Sequence, residues 1–401
     1  TTTMDVIVKG FGSTVGKIGI IIIFGILLGQ YLEDSRGAER LARSVVGMVG
    51  DKRSPFAMAI SGYLISIPVF SDVGYVIMSP LAKAISRRSG ISFHVIAVSL
   101  AGGLLATHVL VPPTPGPLAV AGLLGIDMGR MILWGGVVAL CMTLGGWLWA
   151  ILVIPRYMAT WIPPAADLGS AQPLSPAEER SMPGIFAALF PLLLPLVLIL
   201  MDTTSRMLLE EGHPVRLVAA AIGNANVAVF LGACAALALL HKKLRAAGKP
   251  ALAAVEGALK SAGPIIFITA AGGSLGAILE KSGAGGTIAE FFAGSGLPFL
   301  LIPFAISGLL KTIQGSGTVA VVTAATLCLP IAQQLQMDPL LIALSAGSGA
   351  RLICHVNDSF FWVFANMSGI DTRTALKTLS LSNIALAFSG LAGTWMVSFF
   401  L

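Results

Sequence analysis

Long apolar runs constrain this chain more than any other feature. Ile18 to Leu32, Met131 to Ile154, Ile185 to Met201, Leu217 to Leu240 and Ala375 to Leu401 each come near the roughly 20 residues a helix needs to cross a bilayer. Only 11% of the 401 residues are charged, against about 25% in an ordinary soluble domain, too few to cover a water-soluble fold of this size. The expected fold class is an all-α polytopic membrane protein. The formal net charge of +6 comes from Lys and Arg gathered in short connections, which orients helices in a bilayer; no basic face with interleaved aromatics points to nucleic acid. Cys141, Cys234, Cys328 and Cys354 stand singly in apolar segments, with no CxxC pair and no His at ligand spacing. They read as packing residues and imply no metal and no cofactor.

The chain also repeats itself. Gly29, Leu32, Glu33, Ser35 and Ala42 return as Gly276, Leu279, Glu280, Ser282 and Ala289. Ala59 to Gly62 returns as Ala305 to Gly308, and His108-Val109 as His355-Val356, all in register. Such self-similarity marks two copies of one unit. Between them, the polar, Pro-rich stretch Tyr157 to Pro183, with Asp167, Glu178, Glu179 and Arg180, reads as a surface loop. The expected organisation is a first repeat over 1–156, a cytoplasmic linker over 157–184 and a second repeat over 185–401. Two spanning segments precede the repeated motif in the second copy and none in the first, so the arithmetic implies two further helices ahead of residue 1.

Basic residues set the orientation. The His241 to Arg245 cluster with Lys249, the Lys83/Arg87/Arg88 cluster, Arg36/Arg40/Arg43 with Lys52/Arg53, and Arg373/Lys377 are all cytoplasmic only if 17–32 runs inward and 262–280 runs outward. The two repeats are therefore expected to be inverted, an architecture of secondary transporters whose sites sit at broken helices near the midplane.

Four interruptions lie at hydrophobic depth. Pro68, Ser71, Asp72 and Gly74 interrupt an apolar run bounded by charge on both sides, so 55–88 reads as a re-entrant helical hairpin. Its partner is 298–336, with Gln314, Gly315, Ser316, Gly317 and Thr318 at the tip. The other two breaks interrupt crossing helices. Four prolines between Thr107 and Pro117 forbid continuous helix, and His355 to Ser359 is the counterpart. Irregular backbone at this depth must be satisfied by protein or by a water-filled cavity, and the helix N-termini it exposes attract carboxylates. A small organic anion suits that chemistry.

These segments resemble the gluconate permease (GntP) family. The likeness is carried by Ile67 to Pro80, by Thr107-His108 with Pro112 to Pro117, by Gln314 to Ala320, and by His355 to Asp358 with Phe361-Trp362. The resemblance implies an elevator-type transporter of the ion transporter superfamily, dimeric, in a bacterial inner membrane, that imports gluconate or a related sugar acid with protons. Within these motifs the expected substrate contacts are Ser71, Thr107, Thr114, Gly116, Gln314, Ser316, Thr318 and Asn357; Arg351, outside them, either grips a carboxylate through its planar fork or only neutralises Asp358. This chain departs from the family pattern at Thr114, where His is usual, at Phe360, where Gly is usual, and at Arg351, in a stretch normally uncharged.

Asp358 leads the candidates for ion coupling, since a carboxylate at membrane depth is costly and faces a cavity or a partner; the alternative is a structural pair with Arg351 seven residues earlier. Asp72 carries the same cost. His108 and His355 occupy matched positions, and His titrates near physiological pH. The coupling ion is expected to be a proton, with sodium coupling or exchange as the alternative. Two rivals carry less of the pattern. Ser316 between two glycines with an intramembrane His suggests an intramembrane serine hydrolase, which has no use for an inverted repeat. A passive channel has no use for two opposed hairpins.

Overall fold

The apolar runs form helices. The computed structural model describes residues 2–49, 53–164, 182–210, 212–246, 248, 251–282, 298–335 and 337–401. Most of the expected linker, and the part of the repeated motif from 283 to 289, lie outside them. Every regular element among the described residues is helical.

Helix α1 (Thr3–Asp34) opens the chain with a reciprocal cap, Thr2 Oγ1 accepting from the Asp5 amide and Asp5 from the Thr2 amide. Helix α2 (Gly37–Val49) is amphipathic, and Glu39 on it pairs with both Arg36 and Arg43. Then come α3 (Ser54–Ile65), α4 (Ser71–Ser89), α5 (Phe93–Leu110), α6 (Pro115–Leu124), α7 (Met128–Leu152) and the short α8 (Ile154–Tyr157). After the linker follow α9 (Ile185–Leu208), α10 (Pro214–Gly223), α11 (Ala225–Ala246) and α12 (Ala251–Ser282). The chain ends with α13 (Leu301–Gln314), α14 (Gly317–Leu335), α15 (Pro339–Gly349), α16 (Ser359–Ser368) and α17 (Thr372–Val397), the last with a π turn at Leu376–Ser380.

Among the described residues, five helical stretches are long and apolar enough to cross a membrane, Phe93–Leu124, Met128–Tyr157, Ile185–Arg206, Ala225–Ala246 and Thr372–Val397, and a sixth if the bent pair Thr3–Gly16 and Gly19–Asp34 in α1 is counted as one span. The sequence reading differs in one place. The run Leu217 to Leu240 is not one helix, because Asn224 is extended and its side chain accepts from the Asn226 amide, ending α10 and starting α11.

The five helices α3 to α7 recur in the same order as α13 to α17, with breaks at matching places. Close packing recurs too. A methyl group on Gly103 of α5 would lie 2.0 Å from the Ala59 carbonyl oxygen of α3, and one on Gly349 of α15 would lie 2.1 Å from the Phe304 carbonyl oxygen of α13. Each hairpin's first arm thus presses, backbone to backbone, on the helix that precedes the second break.

All residues of α5 are buried, which makes it the core around which the rest is arranged. Helix α1 packs along α12, with Ser274 Oγ donating to the Ile7 carbonyl at 2.9 Å. Its glycines also reach both first-half breaks: a methyl group on Gly29 would meet the Pro68 carbonyl oxygen at 2.2 Å, and one on Gly25 the Pro113 carbonyl oxygen at 2.8 Å. Arg130 at the start of α7 pairs with Asp338 at the start of α15 at 2.5 Å, joining the halves. Tyr75 and Ser79 of α4 bond to Ser368 Oγ at 2.6 Å and to the Met367 carbonyl at 3.0 Å. These contacts dock α16 on α4 and bring two helix N-termini together.

Candidate substrate site

A cavity of about 550 Å³ opens where the breaks meet. It is lined by the first turns of three helices: Ser71, Asp72 and Val73 of α4, Gly317 and Thr318 of α14, and Ser359 and Phe360 of α16. Each first turn presents backbone amides without intrahelical partners, and each macrodipole adds its positive end. The N-terminus of α6 lies one layer behind, a methyl group on Gly116 falling 3.6 Å from Thr318.

The walls carry charge. Asp358 caps α16, Oδ1 accepting from the Phe360 amide at 3.0 Å. Its Oδ2 is paired with the Lys311 ammonium and accepts from the Cys354 thiol at 3.0 Å. Lys311 also donates to the Gly315 carbonyl at 2.5 Å. Gly315 ends α13 in the left-handed region at φ +79°, and a methyl group there would fall 2.1 Å from the Asn357 carbonyl oxygen. Only glycine both tolerates that conformation and permits that approach.

Arg351 is 3% exposed, and its Nε has no hydrogen-bond partner among the described residues. Its guanidinium lies against Gly317, where a methyl group would fall 2.0 Å from a terminal nitrogen. Helix α15 ends at Gly349, so Arg351 sits in the break and not on a continued helix beside Asp358. The expected alternative for Asp358, a structural pair with Arg351, is replaced by the pair with Lys311. Across the cavity Asp72 accepts from Ser359 Oγ at 2.9 Å and from Ser71 Oγ at 3.4 Å.

The structure therefore gathers Ser71, Asp72 and His108 from the first half with Gln314, Ser316 and Thr318 of the second hairpin and Arg351, Asn357 and Asp358 of the second break. His108 is buried against Phe70 at 5.6 Å between ring centroids, and its Nδ1 has no hydrogen-bond partner among the described residues. Four expected residues do not line the cavity. The Thr107 hydroxyl bonds the Gly103 carbonyl at 3.2 Å and that of Thr114 bonds the Val111 carbonyl at 2.5 Å, so both serve the first break. Gly116 is the contact surface for Thr318. His355 Nε2 meets the Thr312 carbonyl at 3.0 Å, alongside Asn357, which donates to the Thr312 and Ile313 carbonyls at 2.8 and 3.2 Å. These two hold the end of α13, whose last carbonyls lack helical partners.

A family model described as GntP family permease matches residues 1–400. The chain belongs to the GntP permease family. It is 38% identical to an uncharacterized permease of Haemophilus influenzae, over 97% of this chain and 82% of the relative. It is 32% identical to a gluconate permease of Pseudomonas aeruginosa, over 94% of this chain and 85% of the relative. The fold is similar to the crystal structure of the Alcanivorax borkumensis YdaH transporter, with a TM-score of 0.68 at 17% identity, covering 98% of this chain and 88% of that one. The GntP chain is accordingly a multi-pass membrane permease and not an enzyme.

Sequence reasoning missed Lys311, Cys354 and Ser359 as members of the site. Lys311 is a single charge in the apolar run of α13, four residues before the hairpin tip, and the cost of such a charge at depth was its signal. Its partner, 47 residues away, becomes visible only once the hairpin folds against the second break.

Proposed function

We propose that this GntP permease is a secondary active importer of gluconate or a related sugar acid, binding it in the cavity between the hairpin tip and the two breaks. The observation that carries the reading is Arg351: a guanidinium that is buried in a cavity, remains charged at any physiological pH, and leaves Nε without a partner among the described residues. A substrate carboxylate supplies that partner through two parallel hydrogen bonds, and the amides of Gly317 and Thr318 lie beside it. The substrate's hydroxyls then face Asp72, Ser71 and Ser359 as acceptors and donors. The name of the Pseudomonas aeruginosa relative and the polar, three-helix mouth agree with a hydroxylated carboxylate.

Import of an anion against a negative-inside potential costs about 2.3 kcal/mol per charge per 100 mV, so accumulation needs a cotransported cation. In this reading the cation is a proton held in the buried charge cluster around Asp358, with Asp72 and His108 as secondary candidates, while His355, bonded to the Thr312 carbonyl, acts on the end of α13. Two inverted repeats over 1–156 and 185–401 form a homodimeric elevator machine that carries the cavity between the two sides.

Calorimetric titration of the purified protein with D-gluconate, other sugar acids, neutral sugars and short unhydroxylated acids tests the assignment. Sugar acids should bind and both control classes should not. Preference for the unhydroxylated acids would place this permease on another substrate class.

A further inference from the structure

Lys311 is 1% exposed, and its ammonium sits at the second hairpin tip among oxygen ligands: the Gly315 carbonyl, where α13 ends, and the Asp358 carboxylate, where α16 begins. A helix C-terminus, a tip carbonyl and a carboxylate together make a site for a small cation. The chain fills that site with its own side chain. We propose that the Lys311 ammonium is a built-in replacement for a metal cation at the hairpin tip, so that substrate binding requires no sodium, and that the cotransported proton resides on the Lys311–Asp358 pair. This rests on the reading of the cavity as an anion site and assigns its coupling.

The charges explain why proton and substrate would travel together. The Arg351 guanidinium lies against Gly317, two residues from the Gly315 carbonyl that the ammonium bonds, and it lines the same cavity as Asp358. With a carboxylate on Arg351, the guanidinium and the ammonium face Asp358 and the substrate at the tip, Asp72 standing across the cavity with Ser359 and Ser71, and the ammonium is stable. When the carboxylate leaves, Arg351 turns on Lys311 a charge that Asp72, not ion-paired with it among the described residues, offsets only in part. The Nζ–H bond then breaks, its proton passes to water, the nitrogen keeps the electron pair as a neutral amine, and Asp358 stays ionised. By linkage, the substrate strengthens proton binding by the same factor as the proton strengthens substrate binding. One monoanion moves with one proton, and the loaded and empty cavities carry the same net charge. The other charged or titratable groups facing the pair and cavity are Cys354, His108 and Asp72.

The test uses the full chain in detergent. D-gluconate should bind equally in sodium chloride and in choline chloride of equal strength, and sodium should leave the wild-type Tm unchanged. In Lys311→Ala the oxygen ligands are freed, so binding in choline should fall at least tenfold. Sodium, lithium or methylammonium at 100 mM should then raise the variant's Tm by about 2 °C or more, as a ligand specific to the folded state does. A sodium requirement in the wild type, or a Lys311→Ala protein that binds D-gluconate normally and ignores all three cations, would overturn the proposal. If Lys311→Ala aggregates, Lys311→Arg decides: it keeps a cation at the tip and must bind without sodium, and a sodium requirement there also overturns it. Failure of the wild type to bind D-gluconate in either buffer would count against the sugar-acid reading, while the thermal arm would still judge the role of Lys311.

Discussion

At the scale of single residues, the cavity divides its charges into a directly bonded pair, Lys311 and Asp358, and two groups left open to a substrate, Arg351 and Asp72. Lys311 and Asp358 neutralise one another and are further bonded to Gly315, Phe360 and Cys354. Arg351 and Asp72 are not joined to each other by an ion pair among the described residues. Arg351→Met should therefore weaken sugar-acid binding by about 10- to 150-fold, the range for one charge-assisted hydrogen bond of 1.5–3 kcal/mol. Arg351→Lys should recover only part of it, because an ammonium cannot offer two parallel donors. Titration calorimetry on both variants reads the difference. Asp72→Asn should weaken D-gluconate binding while leaving a deoxygenated acid of the same length unaffected, since the carboxylate accepts from substrate hydroxyls. Equal losses for both acids would place Asp72 outside the hydroxyl-reading role. Of these four residues the sequence exposed three, each a charge at membrane depth, and suggested the wrong partner for Asp358. Pairing across 47 residues is a property of the folded hairpin, which no local spacing encodes.

At the scale of elements, glycine and proline decide where helices stop and how near they come. Three of the four breaks were legible from Pro68, from the prolines at 112, 113, 115 and 117, and from Gly315, which permits a turn, and the fourth, at 355–359, only as the repeat counterpart of the proline-rich one. The split at Asn224 was not, since a single Asn in an apolar run is compatible with helix until its side chain is seen to cap the next one. Contacts between elements were also hidden. Nothing in the sequence marks Gly103 or Gly349 as a point where two backbones meet, although the recurring distances of 2.0 and 2.1 Å show the same device in both halves. Gly103→Val should force α3 away from α5, costing about 1–3 kcal/mol as overpacking does, and lower the thermal midpoint with little change in the cavity's chemistry. Gly12→Val, on α1, supplies the surface control, since Gly12 is exposed and an added methyl group there meets nothing within 4 Å. An unchanged midpoint in Gly103→Val would mean that α3 yields without penalty.

At the scale of the whole molecule, the matched order of α3 to α7 and α13 to α17 gives the inverted-repeat reading its physical test. If the repeats are inverted, the bases of the two hairpins face opposite sides of the membrane. In a background lacking the exposed Cys234, Ser89→Cys at the end of α4 should react with an impermeant maleimide only from the cytoplasmic side, and Met337→Cys only from the outside. Labelling of both from one side would remove the inverted topology and with it the elevator mechanism. The class of the molecule and its family were readable from apolar runs and four short motifs, because bilayer thickness and helix geometry leave few alternatives. Its charge economy was not, because the cavity is assembled from segments nearly three hundred residues apart, such as Asp72 and Ser359.

The central claim is that a sugar acid crosses the membrane through this cavity with its carboxylate on Arg351. Counterflow of labelled D-gluconate into proteoliposomes preloaded with unlabelled D-gluconate tests it most directly, comparing the wild type with Arg351→Met at matched reconstituted amounts. The account predicts saturable counterflow by the wild type, inhibited by other sugar acids, and at least tenfold less by the variant. Undiminished counterflow by Arg351→Met, or wild-type uptake that neither saturates nor responds to competing sugar acids, would contradict it.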